Sequence, residues 1–125
     1  MNQLVPVLNV EDVSASIAFY QAALHATVEN EWSLEGSVRW ARIAFAGGAM
    51  MLNTPELASS AERRTRADFD DVVLYVMCED ATARRAELAA RGLPVGEMKH
   101  EDYGNDEFAL RDPDGYAIRF SSARG

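Results

Sequence analysis

The chain has 125 residues, of which 48% are hydrophobic, and its formal net charge is −8 at pH 7. These values indicate one compact domain with a sizeable core, and they exclude a disordered chain. The sequence has no apolar run long enough to cross a membrane and no basic stripe for nucleic-acid binding. A single cysteine, Cys78, and an N-terminus without signal-peptide features predict a cytoplasmic protein without an internal disulfide.

The first half of the chain predicts a strand, a helix and then up to three strands. Asp12 or Ser14 could cap the start of the helix, and Pro6 marks the first strand as irregular. A glycine pair, Gly47-Gly48, is typical of the turn of a hairpin. The predicted elements are strand 3–10, helix 12–24, a weaker strand within 26–36, and two strands within 38–53.

The second half repeats this order after a polar stretch that is typical of a linker. Gly92 and Pro94 predict the end of its helix. The turn Asp112-Pro113-Asp114-Gly115 predicts a closing hairpin, because these residue types favour tight turns. The predicted elements are strand 71–78, helix 79–94, a short strand 94–98, and a hairpin over 105–120.

An order of strand, helix and three strands that occurs twice predicts an α+β fold. Neither half has enough strands to bury both faces of a sheet, so two halves could together form a curved mixed sheet. We therefore expect a half-barrel with the helices on its outer face and a concave inner face. The expected organisation is a single domain over 1–125, with module one at about 1–54, a linker at about 55–69, and module two at about 70–125.

Two segments resemble the vicinal oxygen chelate superfamily, which includes glyoxalase I, bleomycin-resistance proteins and extradiol dioxygenases. They are "VLNVEDVSASIAFYQAAL" (7–24) and "YGNDEFALRDPDGYAIRF" (103–120). The resemblance implies two βαβββ modules, a ligand cavity under each curved sheet, and a homodimer. The chain departs from the family at His25, where a glycine commonly ends the first helix. Because histidine adopts a left-handed conformation less readily than glycine, we expect a modified helix end there.

In metal-dependent members of that superfamily, four ligands converge from the inner faces of the strands. The resemblance assigns these positions to Val5, Met51, Asp71 and Arg119. Only Asp71 offers a donor that suits a hard or borderline metal ion, and Arg119 would repel one. We therefore expect no metal and no cofactor. Arg119 and Asp71 are predicted to pair instead, either as a structural ion pair or as an anchor for a ligand.

Strand alternation assigns further side chains to the inner face, where apolar and aromatic residues surround a few polar ones. This composition is typical of a small-molecule site. The same residues could instead fill the half-barrel or a dimer interface. The predicted ligand-binding residues are Val5, Val7, Asn9, Trp40, Arg42, Met51, Asn53, Asp71, Tyr75, Tyr103 and Arg119.

The resemblance and this inner face predict a metal-free protein that binds and sequesters a small molecule, like the bleomycin-resistance branch. Its ligand would be aromatic or amphipathic, and the acidic balance also fits a cationic one. The alternative is an enzyme of the superfamily, a lyase, isomerase or dioxygenase-like protein that lacks the usual metal or has an atypical site. In that alternative Asp71 or Glu107 would act as a general base, and Arg119 would stabilise developing negative charge.

Overall fold

The computed structural model of the chain describes residues 3–54 and 72–124. The chain divides into two compact units, an N-terminal unit within 1–63 and a C-terminal unit within 64–125. The predicted linker at 55–69 and the predicted site residue Asp71 lie outside the described residues. Within the described ranges, no helix is long and apolar enough to cross a membrane.

The N-terminal unit is a βαβββ module with one four-stranded mixed sheet. Its strands run in the order β1-β4-β3-β2, with β1 parallel to β4 and the other neighbours antiparallel. The bounds are β1 Val7–Asn9, α1 Val13–Leu24, β2 Thr27–Leu34, β3 Ser37–Phe45 and β4 Gly48–Asn53.

The C-terminal unit repeats this topology with the strand order β5-β8-β7-β6, in which β5 is parallel to β8. The predicted internal repeat and the α+β class are therefore confirmed. Each sheet stays open rather than closing into a barrel, and the half-barrel formed by both modules remains a prediction. The bounds are β5 Val73–Met77, α2 Ala81–Ala90, β6 Lys99–His100, β7 Asn105–Arg111 and β8 Ala117–Ala123.

One face of each sheet packs against the helix of its own unit. In the N-terminal unit α1 contacts β3 and β4, and Ile43 and Leu52 on those strands are fully buried. In the C-terminal unit α2 contacts β7 and β8. There Phe108 and Phe120 stack with ring centroids 4.9 Å apart. Burying side chains of this size stabilises the fold by about 1.5–3 kcal/mol each, so these two small cores hold the modules together.

Both helices begin with the same capping device. The side chain of Asp12 accepts a hydrogen bond from the backbone N–H of Ala15 at 3.1 Å, and Asp80 does the same for Ala83 at 3.0 Å. An aspartate cap satisfies one of the otherwise unpaired N–H groups of the first turn. The cap predicted at Asp12 is therefore present, and the repeat extends to this local feature.

The predicted Asp-Pro-Asp-Gly turn joins β7 to β8. Asp112 Oδ1 accepts hydrogen bonds from the backbone N–H groups of Asp114 and Tyr116, at 3.0 and 2.9 Å. The backbone N–H of Gly115 donates to the Asp112 carbonyl at 2.9 Å, and Gly115 has a φ of 93°. Asp112 thus organises the turn, and the left-handed backbone explains the glycine.

Three strand boundaries differ from their predictions. The first strand covers only Val7–Asn9 instead of 3–10. Pro6 has no N–H to donate, although its carbonyl accepts from Met51 at 2.8 Å. The prediction of a short strand at 94–98 was wrong. That segment makes only one backbone hydrogen bond to β7, from the Gly96 N–H to the Ala109 carbonyl, and the strand that pairs with β7 begins later, as β6. The β3–β4 turn falls at Ala46-Gly47, so Gly48 already belongs to β4.

His25 ends α1 in the left-handed conformation that glycine usually adopts. Its φ and ψ are 55° and 36°, and its backbone N–H donates to the Tyr20 carbonyl. The helix therefore ends in the usual left-handed conformation, and the prediction of a modified helix end was wrong. Histidine takes the conformation of the glycine and accepts its steric cost.

We predict that His25→Gly is more stable than His25→Ala by about 1 kcal/mol, because only glycine avoids the clash of Cβ in the left-handed region. Both variants lose the imidazole, so their difference isolates the backbone term. Urea unfolding followed by circular dichroism measures it. Equal stabilities would show that the helix end shifts to a different conformation in solution.

Candidate functional site

The face opposite α1, here called the N-terminal open face, brings together most of the predicted site residues of the first module. They meet as cross-strand neighbours, with Val7 opposite Met51, Asn9 opposite Asn53, Met51 opposite Arg42, and Asn53 opposite Trp40. Val5 lies just before β1 and is half-buried. Alternation along short strands was enough to predict this grouping.

Trp32 is a residue of this face that the sequence analysis missed. It lies on β2 directly opposite Trp40 and is 55% exposed. The weak pattern of residues 26–36 concealed it, although an aromatic residue in a hairpin arm is itself a strand signal. Arg42 is held in place because its guanidinium donates to Glu29 Oε1 and to Gln3 Oε1, each at 2.9 Å. Two tryptophans that are cross-strand neighbours therefore share this face with a fixed cation.

The C-terminal open face, opposite α2, contains Tyr75 and Arg119 as cross-strand neighbours on β5 and β8. The Arg119 guanidinium carbon lies 5.7 Å from the centroid of the Tyr75 ring, which is a cation–π distance. Within residues 3–54 and 72–124, Arg119 makes no ion pair. Its predicted pair with Asp71 stays a prediction, because Asp71 is not among the described residues.

A buried carboxylate, Glu107, forms the polar centre of this face. Its side chain is only 3% exposed, although it points away from the apolar core. Tyr75 Oη donates to Glu107 Oε1 at 2.6 Å, and Ser121 Oγ donates to Oε2 at 2.8 Å. Tyr103 reaches the same cluster through a 3.4 Å contact between its hydroxyl and that of Tyr75. Two predicted site residues, Tyr75 and Tyr103, therefore meet at a carboxylate that was not among the predicted ligand contacts.

The surroundings of Glu107 favour its charged form. Burial raises the pKa of Glu107, but the hydroxyls of Tyr103, Tyr75 and Ser121 and the charge of Arg119 together outweigh it and leave the pKa below the usual value. Conversely, the hydrogen-bonding carboxylate of Glu107 raises the pKa of Tyr103. The cluster thus consists of an ionised carboxylate that accepts hydrogen bonds from hydroxyl groups.

Two adjoining cavities open on this face, and they share Gly96, Lys99, Ala109 and Arg119. The first, here called the acidic cavity, has a volume of about 400 Å³ and is lined by Gly96, Glu97, Lys99, Glu101, Glu107, Phe108, Ala109 and Arg119. The second, the basic cavity, has a volume of about 410 Å³ and is lined by Pro94, Gly96, Lys99, Ala109, Leu110, Arg111, Ala117 and Arg119. Both volumes are in the range of small-molecule sites.

The described residues do not fit the metal site of metal-dependent relatives. Of the four positions that the resemblance assigned, Val5 has no donor atom, Met51 has only a thioether, and Arg119 carries a positive charge. No group of three or more His, Cys, Asp or Glu side chains that could hold a metal ion occurs in the part of the chain that the structure describes. The absence of a metal remains a prediction.

A sequence profile of the Glyoxalase/Bleomycin resistance protein/Dioxygenase superfamily matches residues 1–120, so the chain belongs to this superfamily. No curated protein sequence matches closely enough to count as a relative.

Solved structures of low sequence identity share the fold over their whole length. TnmS3, an antibiotic binding protein from Streptomyces sp. CB03234, is 18% identical, with 99% of this chain and 98% of that chain covered and a TM-score of 0.73. A bleomycin-binding protein from Streptomyces verticillus is 20% identical, with the same coverage and a TM-score of 0.69. A bleomycin resistance determinant encoded on transposon Tn5 is 14% identical, with 100% of both chains covered and a TM-score of 0.74.

We predict that Glu107→Gln lowers the free energy of unfolding by about 1–3 kcal/mol at pH 7, because its donors lose an ionised acceptor. A lowered native pKa gives stability that is fully present above the ordinary glutamate value of about 4.5 and is lost as the pH falls through the lowered value. The difference between wild type and variant should therefore shrink below pH 4.5. Urea unfolding at pH 7, 5 and 3.5 measures it.

Glu97→Gln is the matched control, since Glu97 also lines the acidic cavity but is exposed. It should change the stability little at any of these pH values. A Glu107→Gln effect that grows on acidification would contradict the assignment of Glu107 as an ionised group.

Proposed function

We propose that the protein is a metal-free binding protein that holds and sequesters a small aromatic or amphipathic molecule. The observation that supports this most is the C-terminal open face, where a cavity is lined by the ionised Glu107 and by Arg119, which lies against the Tyr75 ring. Pockets that combine apolar surface with a few fixed polar groups are typical of small-molecule sites. The names of structural neighbours point the same way, since they include an antibiotic binding protein and a bleomycin-binding protein.

We also propose the N-terminal open face, taken by itself, as a ligand-binding surface. Its Trp32–Trp40 pair and Met51 offer flat and polarisable contacts for an aromatic ligand. Asn9 and Asn53, as cross-strand neighbours, offer amide hydrogen bonds beside them. Val5, Val7 and Arg42 complete the proposed contacts on this side, and Asp71 remains a proposed contact of the C-terminal module.

The state of Glu107 favours binding over catalysis. An effective general base needs a pKa close to the working pH, whereas the hydrogen bonds to Glu107 hold its pKa below even the ordinary carboxylate value. A carboxylate with a lowered pKa is better suited to orient hydrogen-bond donors or a cationic group of a ligand. This argues against Glu107 as the general base of the enzyme alternative, in which Asp71 is the other candidate.

We propose that the protein works as a homodimer in the cytoplasm, without metal or cofactor. Large apolar side chains such as Val7, Trp32 and Met77 are more than half exposed. Exposed apolar surface of this kind is often covered by a partner or a ligand. The presence of only one cysteine in the chain supports the proposed cytoplasmic location.

The first experiment is native mass spectrometry on the full chain purified without added metal. The proposal predicts a dimer without stoichiometric metal. Titration with the neutral fluorescent probe N-phenyl-1-naphthylamine, before and after treatment with a chelator, should give the same affinity. One metal ion per chain, together with loss of probe binding after chelation, would overturn the metal-free proposal.

We predict that Tyr75→Ala weakens N-phenyl-1-naphthylamine binding by about tenfold, because an aromatic contact in a site contributes about 0.5–1.5 kcal/mol beyond its buried area. Leu34→Ala is the control, since Leu34 and Tyr75 have the same exposure of 46% but Leu34 lies at the end of a hairpin arm. Fluorescence titration measures both. Equal losses in the two variants would argue against a site at Tyr75.

A further inference from the structure

The basic cavity concentrates positive charge in an acidic protein. Its lining contains Lys99, Arg111 and Arg119, and no carboxylate is among its described lining residues. This local excess contrasts with the net charge of −8 of the whole chain. Three cations that line one cavity make it attractive to an anion. The cavity shares Lys99 and Arg119 with the acidic cavity, and it differs from that cavity because, within the described part of the chain, no glutamate lines it.

The floor of the basic cavity consists of small side chains, which leaves room between the cations. Ala109 lies opposite Arg119, and Ala117 lies opposite Arg111, so each guanidinium extends beside a methyl group of the neighbouring strand. Gly96 closes one side, where its N–H donates to the Ala109 carbonyl at 2.7 Å. A Cβ at Gly96 would lie 2.8 Å from that carbonyl oxygen, so glycine is needed for the close approach.

Contacts within the C-terminal unit fix the two guanidinium groups. Arg111 Nη1 donates to the Gly115 carbonyl at 2.8 Å, beside the turn that Asp112 organises. Arg119 is half-buried and lies against the Tyr75 ring. Glu107, the cross-strand neighbour of Lys99, accepts hydrogen bonds from Tyr75 and Ser121. The two guanidinium groups are thus held at the edge of the cavity.

We propose that the basic cavity binds an oxyanion group of the ligand, such as a carboxylate, a sulfonate or a phosphate ester. This inference rests on the proposed function and narrows its ligand to an amphipathic acid. Arginine forks match the oxygen pairs of such groups, and lysine adds a point charge. The aromatic part of the ligand would then lie toward Tyr75, and its anionic end toward Lys99, Arg111 and Arg119.

The test compares two probes that share one ring system. 1-Anilinonaphthalene-8-sulfonate carries a sulfonate, and N-phenyl-1-naphthylamine is its uncharged counterpart. We expect the sulfonate to bind about tenfold more tightly to the wild-type protein, despite the negative net charge of the chain. Raising the salt concentration should reduce this ratio, because salt screens exposed charges.

Lys99→Gln and Arg119→Gln should each reduce the ratio of the two affinities toward one. Arg91→Gln removes the same charge from the end of α2, at a residue that lines neither described cavity, and should leave the ratio unchanged. Circular dichroism confirms that each variant is folded. An equal loss in Arg91→Gln would assign the effect to net charge and overturn the site.

Lys99 is the only lysine in the chain, which allows a direct test that does not depend on the aromatic probe. Reductive ¹³C-methylation keeps its charge and gives one lysine signal in an NMR spectrum, identified by its absence in Lys99→Gln. Inorganic phosphate should shift this signal with saturation, and the shift should be lost in Arg119→Gln.

The outcomes separate the two proposals. If both probes bind with equal affinity and phosphate does not shift the Lys99 signal, the oxyanion site is wrong and the proposed binding function stands. If neither probe binds but phosphate shifts the signal with saturation, the oxyanion site stands and the proposed aromatic ligand is wrong. If neither probe binds and the signal does not move, both are overturned.

Discussion

Coverage of one sheet face by one helix is the constraint on which each unit depends. Because each strand turns alternate side chains to opposite faces, the helix decides which half of each strand forms the core. In β7 this separates Phe108, which stacks on Phe120 under α2, from its neighbour Glu107 on the other face. The open face is then left to side chains that do not contribute to the core, and its chemistry can vary without loss of the fold.

Glu107 shows what this freedom permits. A carboxylate that is removed from water costs free energy unless hydrogen bonds and nearby charge compensate it. Here the hydrogen bonds come from Tyr75 on β5 and Ser121 on β8, two other strands of the same sheet. The network thus links three strands through one side chain. A site built on strands in this way is more rigid than one built on loops, which favours a preformed pocket.

Local patterns in the sequence were sufficient for the fold and for part of the site. Alternation, the Asp12 cap and the Asp-Pro-Asp-Gly turn depend on neighbouring residues, and they predicted the repeated module and the cross-strand group of Met51, Asn53 and Arg42. The Glu107 cluster was not predicted as a ligand site, because its donors are 32 and 14 residues away in the chain. Alternation gives the face of a residue, but it does not show which distant hydroxyl will cover it.

The rim of the candidate site depends on the end of the chain in the same non-local way. Arg124 donates from its backbone to the Gly104 carbonyl at 2.9 Å and from its guanidinium to the Glu101 carbonyl at 2.8 Å. It thereby fixes both sides of the short loop that carries Tyr103. The ion pair of Arg124 with Asp106, whose pKa is lowered mainly by a hydrogen bond to His100, ties the same loop to β7.

Tyr103 is mostly exposed, yet the loop that carries it is held on both sides. A tyrosine anchored in this way can contact a ligand with little loss of backbone entropy, because the ordering was completed on folding. The loop, the buried carboxylate and the cations are all positioned by one four-stranded sheet. The C-terminal module thus combines an aromatic surface, an anion and fixed cations, the groups on which the proposed binding depends, within a unit of about half the chain.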